Sequence, residues 1–209
     1  MKKVFENIYE KGLWSDNNPN IPLSGPGSSL DNTSEIVREL DKLVLNNEIK
    51  TVLDIGCGDL TWVSTTKFFN NPDINYVGID IVESLIKSHS TKYNNIRSGI
   101  ESQGYKEFVC MDITDNHGFI TERVWDLIIC RDMLFHIPLD SACKLVSCIQ
   151  SSSKYYCLTS NNCRVNMDNL SNKYHFSERN LFIEPFSLSS YLIKIDEPVF
   201  NRSFYIFSN

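Results

Sequence analysis

The chain alternates short, mainly apolar runs with longer stretches in which apolar residues recur every three or four positions. The short runs predict buried strands and the longer stretches predict amphipathic helices. The runs are TVLDI from residue 51, NYVGIDI from 75, KEFVCMDI from 106, WDLIICRD from 125 and KYYCLTS from 154. Because they are apolar on both faces and separated by helical patterns, they predict a parallel sheet covered by helices.

The spacing predicts helices over residues 4–11, 60–69, 82–93 and 140–150, and a further helix that begins near Asn32. Asn32 is the expected N-cap of that helix, with Glu35 completing a capping box. Near the end, LSSYLIKIDE and RSFYIFS lie too close together for a crossover helix, so they predict an antiparallel hairpin. We expect residues 1–31 to form an irregular lid, residues 32–209 a single α/β domain, and residues 161–185 an irregular segment.

Composition narrows the class of protein. The 209 residues include 20 basic and 26 acidic side chains, and the net charge of −6 disfavours general attraction to nucleic acid. No apolar run reaches the roughly 18 residues of a membrane span, and the N-terminus lacks the apolar core of a signal peptide. Seven cysteines occur without a CxxC pair, which favours a reduced, cytoplasmic protein without a zinc site.

A glycine loop follows the first predicted strand in the sequence DIGCGD. Gly56 and Gly58 permit a sharp turn and a close approach to a ligand, but Thr61 replaces the third glycine of the dinucleotide fingerprint. Asp54 would repel a pyrophosphate and favour a ligand that carries a cation or an amine. The alternative is an ordinary tight turn between a strand and a helix.

Two more acidic residues end the next two predicted strands. Asp80 lies about twenty residues after the loop, where a carboxylate can bind both hydroxyls of a ribose. Asp112 could bind the amino group of an adenine, with Met111 and Ile113 as apolar flanks. Each aspartate could instead cap a helix, but three acidic strand ends in succession favour a nucleoside site.

The runs VLDIGCGD, YVGID, FVCMDI and WDLIICRD resemble the successive motifs of class I S-adenosylmethionine-dependent methyltransferases. This resemblance implies a Rossmann-like fold with helices on both faces, and S-adenosylmethionine as cofactor. The candidate cofactor-binding residues are Asp54, Gly56, Cys57, Gly58, Asp80, Ile81, Met111, Asp112, Ile113 and Arg131, with Trp14, Gly25 and Ser28 from the N-terminal segment.

A narrower resemblance rests on IYEKGLW, SGPGSSL, CRDMLFHIP, YYCLTSN and NLFIEPF. These runs are similar to a group of small bacterial and large-virus methyltransferases that O-methylate sugars of surface glycans. Members are often found beside or fused to glycosyltransferases. The resemblance therefore implies a glycan acceptor, a possible glycosyltransferase partner, and a location in the cytoplasm, which is that of the host if the protein is viral.

O-methylation of a poorly acidic hydroxyl calls for a general base, and the loop after the fourth strand offers two candidates. Asp132 and His136 are four residues apart, and histidine has a suitable intrinsic pKa. Asp132 could orient the imidazole or act as the base, or it could be a helix N-cap while His136 packs against a neighbour. The candidate acceptor-binding residues are Trp62, Asn161, Arg164, Tyr174 and His175, with a core position as the alternative for Trp62.

Rival functions remain open. CRDMLF stands where nucleobase methyltransferases carry [DN]PP[YF], and we find no complete carboxylate set for a catechol-type metal site. An RNA 2′-O-methyltransferase, an O-methyltransferase of another small molecule, and a non-catalytic cofactor-binding subunit are the alternatives to a sugar O-methyltransferase.

Overall fold

A computed structural model describes residues 1–93, 104–170 and 175–209. The chain divides into two compact units, Met1–Met111 and Asp112–Asn209.

The sheet of the first unit consists of β1 (Thr51–Ile55), β2 (Asn75–Asp80) and β3 (Lys106–Cys110) in the order β3-β2-β1. Both pairings are parallel, as predicted. In this register Ile55 lies opposite Ile79, so β1 and β2 end side by side. The glycine loop that follows β1 is therefore adjacent to Asp80.

The helices of the first unit are α1 (Lys2–Glu10), α2 (Leu30–Asn46), α3 (Lys67–Asn70) and α4 (Glu83–Tyr93). The predicted apolar face of α2 is buried. Its predicted N-cap was wrong, because Ser29 caps the helix with its side chain, 3.4 Å from the backbone nitrogen of Asn32. The Asn32 side chain donates instead to the carbonyl oxygen of Pro26.

The predicted helix over residues 60–69 is interrupted. A 3-10 turn over Val63–Thr65 is followed by Thr66 in extended conformation, and only then does α3 begin. The Thr66 hydroxyl accepts a hydrogen bond from the backbone nitrogen of Phe69, so this residue ends one turn and caps the next.

The second unit contains α5 (Gly118–Thr121), β4 (Trp125–Cys130), α6 (Leu139–Ser151), β5 (Ser153–Asn161), β6 (Ile193–Glu197) and β7 (Arg202–Ser208). The strand order is β4-β5-β7-β6. β4 and β5 are parallel, whereas β7 pairs antiparallel with both β5 and β6. The predicted C-terminal hairpin is confirmed, as is the α/β class with a mostly parallel arrangement of strands.

The described residues between β5 and β6, 162–170 and 175–192, form no helix or strand and are held by a buried arginine. Arg179 is fully buried, and its guanidinium donates to the carbonyl oxygens of Met167 and Ile137 at 2.6 and 2.9 Å. It also forms an ion pair with Asp168 at 2.6 Å. The Asn161 side chain accepts from the Arg179 backbone nitrogen at 3.0 Å. One cation thus fixes several backbone positions of the segment.

We predict that Arg179→Met destabilises the protein by about 3 kcal/mol, because it removes the buried donor to the Ile137 carbonyl oxygen and the cation that pairs with Asp168. Arg164→Met is the matched control, since Arg164 lies in the same segment and is exposed. Urea unfolding of both variants measures the difference. Equal stability of the two variants would contradict this account of Arg179.

Candidate functional site

The glycine loop is shaped by positive φ angles and by the carboxylate of Asp80. Gly56 and Gly58 have φ angles of 73° and 58°, which side-chain-bearing residues rarely adopt. The backbone nitrogens of Gly58 and Val82 donate to the two oxygens of Asp80 at 3.0 and 2.9 Å. Asp80 therefore connects the loop to the approach to α4. Burial raises the pKa of Asp80 above its usual range, against these hydrogen bonds, which lower it.

The carbonyl group of Gly58 is held from the other side. His89 on α4 places its Nε2 2.8 Å from this carbonyl oxygen, so Nε2–H donates. His89 is buried. The sequence carries a signal for this burial, because the spacing of Leu85, Ile86 and His89 places all three on one face of the helix.

The carboxylate of Asp54 is buried at the end of β1. The Tyr76 hydroxyl donates to it at 2.6 Å from the neighbouring strand. Burial, followed by the charge of Asp54, raises the pKa of Tyr76 well above its usual value, so the tyrosine stays protonated. Cys57 is buried in the loop, and burial likewise raises the pKa of its thiol.

The N-terminal candidates are folded rather than open. Trp14 packs against Phe5 and Tyr9, with ring centroids 6.1 and 5.4 Å apart. The backbone nitrogens of Gly25 and Ser28 donate to the carbonyl oxygens of Pro22 and Gly25 at 2.8 and 3.0 Å. The backbone nitrogens of these two candidates are therefore engaged within the N-terminal segment.

Asp112 lies two residues beyond the end of β3 rather than on the strand. One oxygen of its carboxylate accepts from the backbone nitrogen and the hydroxyl of Thr114, at 3.1 and 2.6 Å. Asp112 is therefore engaged in a local turn. Its neighbours Met111 and Ile113 are half-buried and buried, respectively.

The loop after β4 carries a compact charge network in the second unit. The carboxylate of Asp132 contacts Arg131 at 2.9 Å and Arg202 at 2.6 Å. Glu197 lies 2.6 Å from Arg131 and 3.3 Å from Arg202. Two guanidinium groups and two carboxylates thus neutralise each other. The sequence indicated Arg131 and Asp132, but Glu197 and Arg202 come from distant strands and carried no local signal.

Asp132 is held in an unfavourable backbone conformation, with a φ of 58°. The Thr159 hydroxyl accepts from its backbone nitrogen at 3.1 Å and lies 2.9 Å from its carboxylate, to which it donates. Burial would raise the pKa of Asp132, but Arg131, Arg202 and the Thr159 hydrogen bond hold it below the usual range. Asp132 is therefore an ionised anchor and a weak proton acceptor.

His136 ends a 3-10 turn over Leu134–His136, not a helical turn shared with Asp132. Its Nδ1 lies 2.7 Å from the backbone carbonyl oxygen of His175, which can only accept. The neutral ring must therefore carry its proton on Nδ1, and Nε2 holds the lone pair. Burial lowers the pKa of His136 to about 4, although this hydrogen bond and the charge of Asp132 raise it. Its ring is neutral at physiological pH.

The remaining candidates occupy different environments. Trp62 is buried, which matches the core alternative, and Ile81 is half-buried. Asn161 is buried against Arg179, whereas Arg164 is exposed. His175 contributes its carbonyl group to His136. Tyr174 lies outside the described residues.

No cluster of three or more His, Cys, Asp or Glu side chains suited to a metal ion occurs in residues 1–93, 104–170 and 175–209. Within the same part of the chain, no helix is long and apolar enough to cross a membrane.

Residues 30–192 match a family of methyltransferase domains. The chain belongs to this family and is an S-adenosylmethionine-dependent methyltransferase. No curated protein matches the chain.

Solved structures with the same fold share little sequence with this chain. Magnesium protoporphyrin IX methyltransferase (ChlM) from Synechocystis PCC 6803, with bound S-adenosylmethionine, is 15% identical with a TM-score of 0.63 and covers 98% of this chain and 95% of its own. N-methyltransferase NodS from Bradyrhizobium japonicum WM9 is 14% identical with a TM-score of 0.62 and covers 97% and 98%. The 16S rRNA methylase ArmA is 16% identical with a TM-score of 0.51 and covers 98% and 97%. The Rossmann-like methyltransferase fold is thereby confirmed.

The glycine loop fits the cofactor of this family. Positive φ angles at Gly56 and Gly58 bring bare backbone to the carboxyl end of the strands, where such ligands bind. Buried carboxylates at Asp54 and Asp80 suit a ligand with hydroxyl and amino donors and a positive sulfonium, and would repel a phosphate.

The environment of His136 predicts a pH dependence of stability. A histidine with a pKa of about 4 in the folded state and about 6.5 when unfolded binds its proton more readily when unfolded. Its contribution is therefore fully present above pH about 6.5 and is lost as the pH falls toward 4. Because the ring is partly exposed, we expect a loss of roughly 1–3 kcal/mol between pH 7 and 4.5.

The measurement is the urea unfolding free energy at both pH values for the wild type and His136→Asn. The asparagine amide can still donate to the His175 carbonyl oxygen, but it does not titrate. The wild type should lose more stability than the variant, by the amount given. Parallel pH dependence of the two proteins would show that His136 keeps an ordinary pKa.

Proposed function

We propose that this methyltransferase transfers a methyl group to a hydroxyl group of a sugar within a glycan. The observation that carries the proposal is the fixed tautomer of His136, whose Nδ1–H is bound to the His175 carbonyl oxygen. Its Nε2 lone pair can accept the proton that a hydroxyl group loses. The sequence resemblance to glycan-modifying methyltransferases supports the choice of a sugar.

S-adenosylmethionine, when bound, supplies an electrophilic methyl group on its sulfonium. An oxygen that gains this methyl group becomes a strong acid unless its proton is removed. Even a base of low pKa can then take the proton, so a pKa of about 4 is compatible with this role of His136. Alignment of the acceptor oxygen supplies much of the remaining rate acceleration.

Asp132 supports this chemistry without acting as the base. Its carboxylate is bound by Arg131 and Arg202, and its lowered pKa makes it a poor proton acceptor. Its negative charge favours the protonated form of His136. We therefore assign the proton to His136 and the electrostatic support to Asp132.

For the cofactor, we propose that Asp80 binds the ribose hydroxyls. Each carboxylate oxygen accepts one backbone hydrogen bond and retains a second lone pair. We propose contacts with the rest of the cofactor for the other candidates of the glycine loop and for Asp112.

We propose that the protein does not bind nucleic acid, because the chain is acidic and the proposed acceptor is a sugar. We also propose a glycosyltransferase partner, on the sequence resemblance. We place the protein in the cytoplasm, where its seven free cysteines would stay reduced. The rRNA methylase among the structural neighbours makes RNA the acceptor to test first against a sugar.

We predict that Asp80→Ala weakens the binding of S-adenosylhomocysteine at least tenfold, about 1.4 kcal/mol, because it removes a charged acceptor of hydrogen bonds. Calorimetric titration measures the affinity. Asp73→Ala is the control, because Asp73 is an exposed carboxylate of the same unit. Unchanged affinity in Asp80→Ala would remove Asp80 from the cofactor site.

The proposed function is tested by methyl transfer to a panel of hexose and deoxyhexose glycosides, with mass spectrometry of the products. We predict that His136→Asn slows transfer by about 10²–10⁴, the usual cost of losing a positioned base, and leaves cofactor affinity nearly intact. The variant keeps the donor to the His175 carbonyl oxygen, so the loss is specific to Nε2.

Two results would contradict the proposal. Turnover in His136→Asn above about a third of the wild-type value would show that His136 is not the general base. Methylation of RNA instead of any glycoside, with binding that weakens steeply with salt, would establish the RNA alternative.

A further inference from the structure

We propose that Asp59 is a positioning residue for the cofactor, because it fastens the N-terminal segment 12–29 to the glycine loop. The proposal concerns cofactor binding and holds whichever acceptor is methylated.

Asp59 and Ser24 bind each other reciprocally across 35 positions of sequence. The Ser24 backbone nitrogen donates to Oδ2 of Asp59 at 2.9 Å. The Asp59 backbone nitrogen donates to the Ser24 hydroxyl oxygen at 3.0 Å. The other oxygen of Asp59, Oδ1, accepts from the backbone nitrogen of Thr61 at 3.0 Å. One carboxylate therefore shapes the loop and holds the segment.

The same segment lies directly against the second glycine of the loop. A Cβ atom at Gly58 would come 2.5 Å from the Ser24 hydroxyl oxygen and 3.2 Å from the Tyr9 hydroxyl oxygen. Those two hydroxyl groups are 2.9 Å apart. Burial raises the pKa of Tyr9 well above its usual value, so its hydroxyl group stays protonated. Asp59 and Tyr9 thus hold Ser24 against Gly58. This is the glycine whose backbone nitrogen is bound by Asp80 and whose carbonyl oxygen is bound by His89.

These contacts join groups of the chain itself, so the segment and the loop order each other without the help of a ligand. Without Asp59, a bound ligand would have to order both, and that cost would reduce its apparent affinity. Asp59 is therefore expected to act on cofactor affinity through Ser24 and the loop, without itself touching the reacting atoms.

The test measures S-adenosylhomocysteine affinity by calorimetry in Asp59→Ala, Asp59→Asn and Ser24→Ala, with hydrogen exchange of residues 12–29 as a second readout. Asp41→Ala is the matched control, since Asp41 also accepts a long-range backbone hydrogen bond, from Lys67 at 2.7 Å, in the same unit. All variants are first compared with the wild type by thermal unfolding.

We expect Asp59→Ala to weaken binding about tenfold, and Asp59→Asn and Ser24→Ala each to weaken it severalfold, because they keep part of the network. Exchange of residues 12–29 should become faster in Asp59→Ala and stay unchanged in Asp41→Ala. If Asp59→Ala does not fold, the two milder variants decide.

Unchanged or tighter binding in the Asp59 and Ser24 variants would overturn the proposal. An equal loss of affinity in Asp41→Ala would also overturn it, because the effect would then reflect general stability. Failure of sugar methylation with these binding results intact would refute only the proposed acceptor.

Discussion

The carboxylate of Asp80 is the constraint on which the cofactor region depends. It accepts hydrogen bonds from the backbone nitrogens of Gly58 and Val82. Asp80, the last residue of β2, thereby connects the loop after β1 to the residues that lead into α4. Because His89 holds the carbonyl oxygen of Gly58, both sides of that residue's backbone are fixed by buried groups. The chain's own buried groups therefore fix the shape of the loop, so the cost of ordering it belongs to folding rather than to binding.

In the second unit, ion pairs hold Asp132 in a backbone conformation that is otherwise unfavourable. A non-glycine residue with positive φ costs about 1–3 kcal/mol unless its surroundings determine its conformation. At Asp132, ion pairs with Arg131 and Arg202 and two hydrogen bonds with Thr159 provide those surroundings. Removing one member of such a buried network leaves the charge of its partner without a counter-charge. The stability contributions of the four residues therefore depend on one another.

Strands β1, β2, β4 and β5 followed from sequence because burial on both faces leaves a nearly continuous apolar run. The hairpin followed because short spacing excludes a crossover. Helix ends were harder, since Ser29 and Asn32 are both good caps and only the backbone conformation chooses between them. Likewise, Thr66 interrupts a helical pattern with an extended conformation that its spacing does not reveal.

The residues of the candidate site likewise divide into those that the sequence indicated and those that it did not. Gly56, Gly58 and Asp80 were recognisable as candidates because each stands at the end of a strand or in the turn that follows it. Their contacts with the cofactor stay a prediction. The tautomer of His136 was not recognisable, because it depends on a backbone carbonyl group 39 residues away, and any residue type can supply one. His89 and Asp59 were missed for the same reason, since their partners are backbone atoms.

This difference bears on how one fold serves several acceptors. Residues around the glycine loop are constrained by backbone geometry that any sequence of this fold must reproduce. The described part of the segment from 161 to 185 is instead anchored by a few polar side chains that bind backbone atoms, among them Arg179, Asn166 and Asn180. Such a segment can change its exposed side chains, Arg164 among them, without disturbing its anchors.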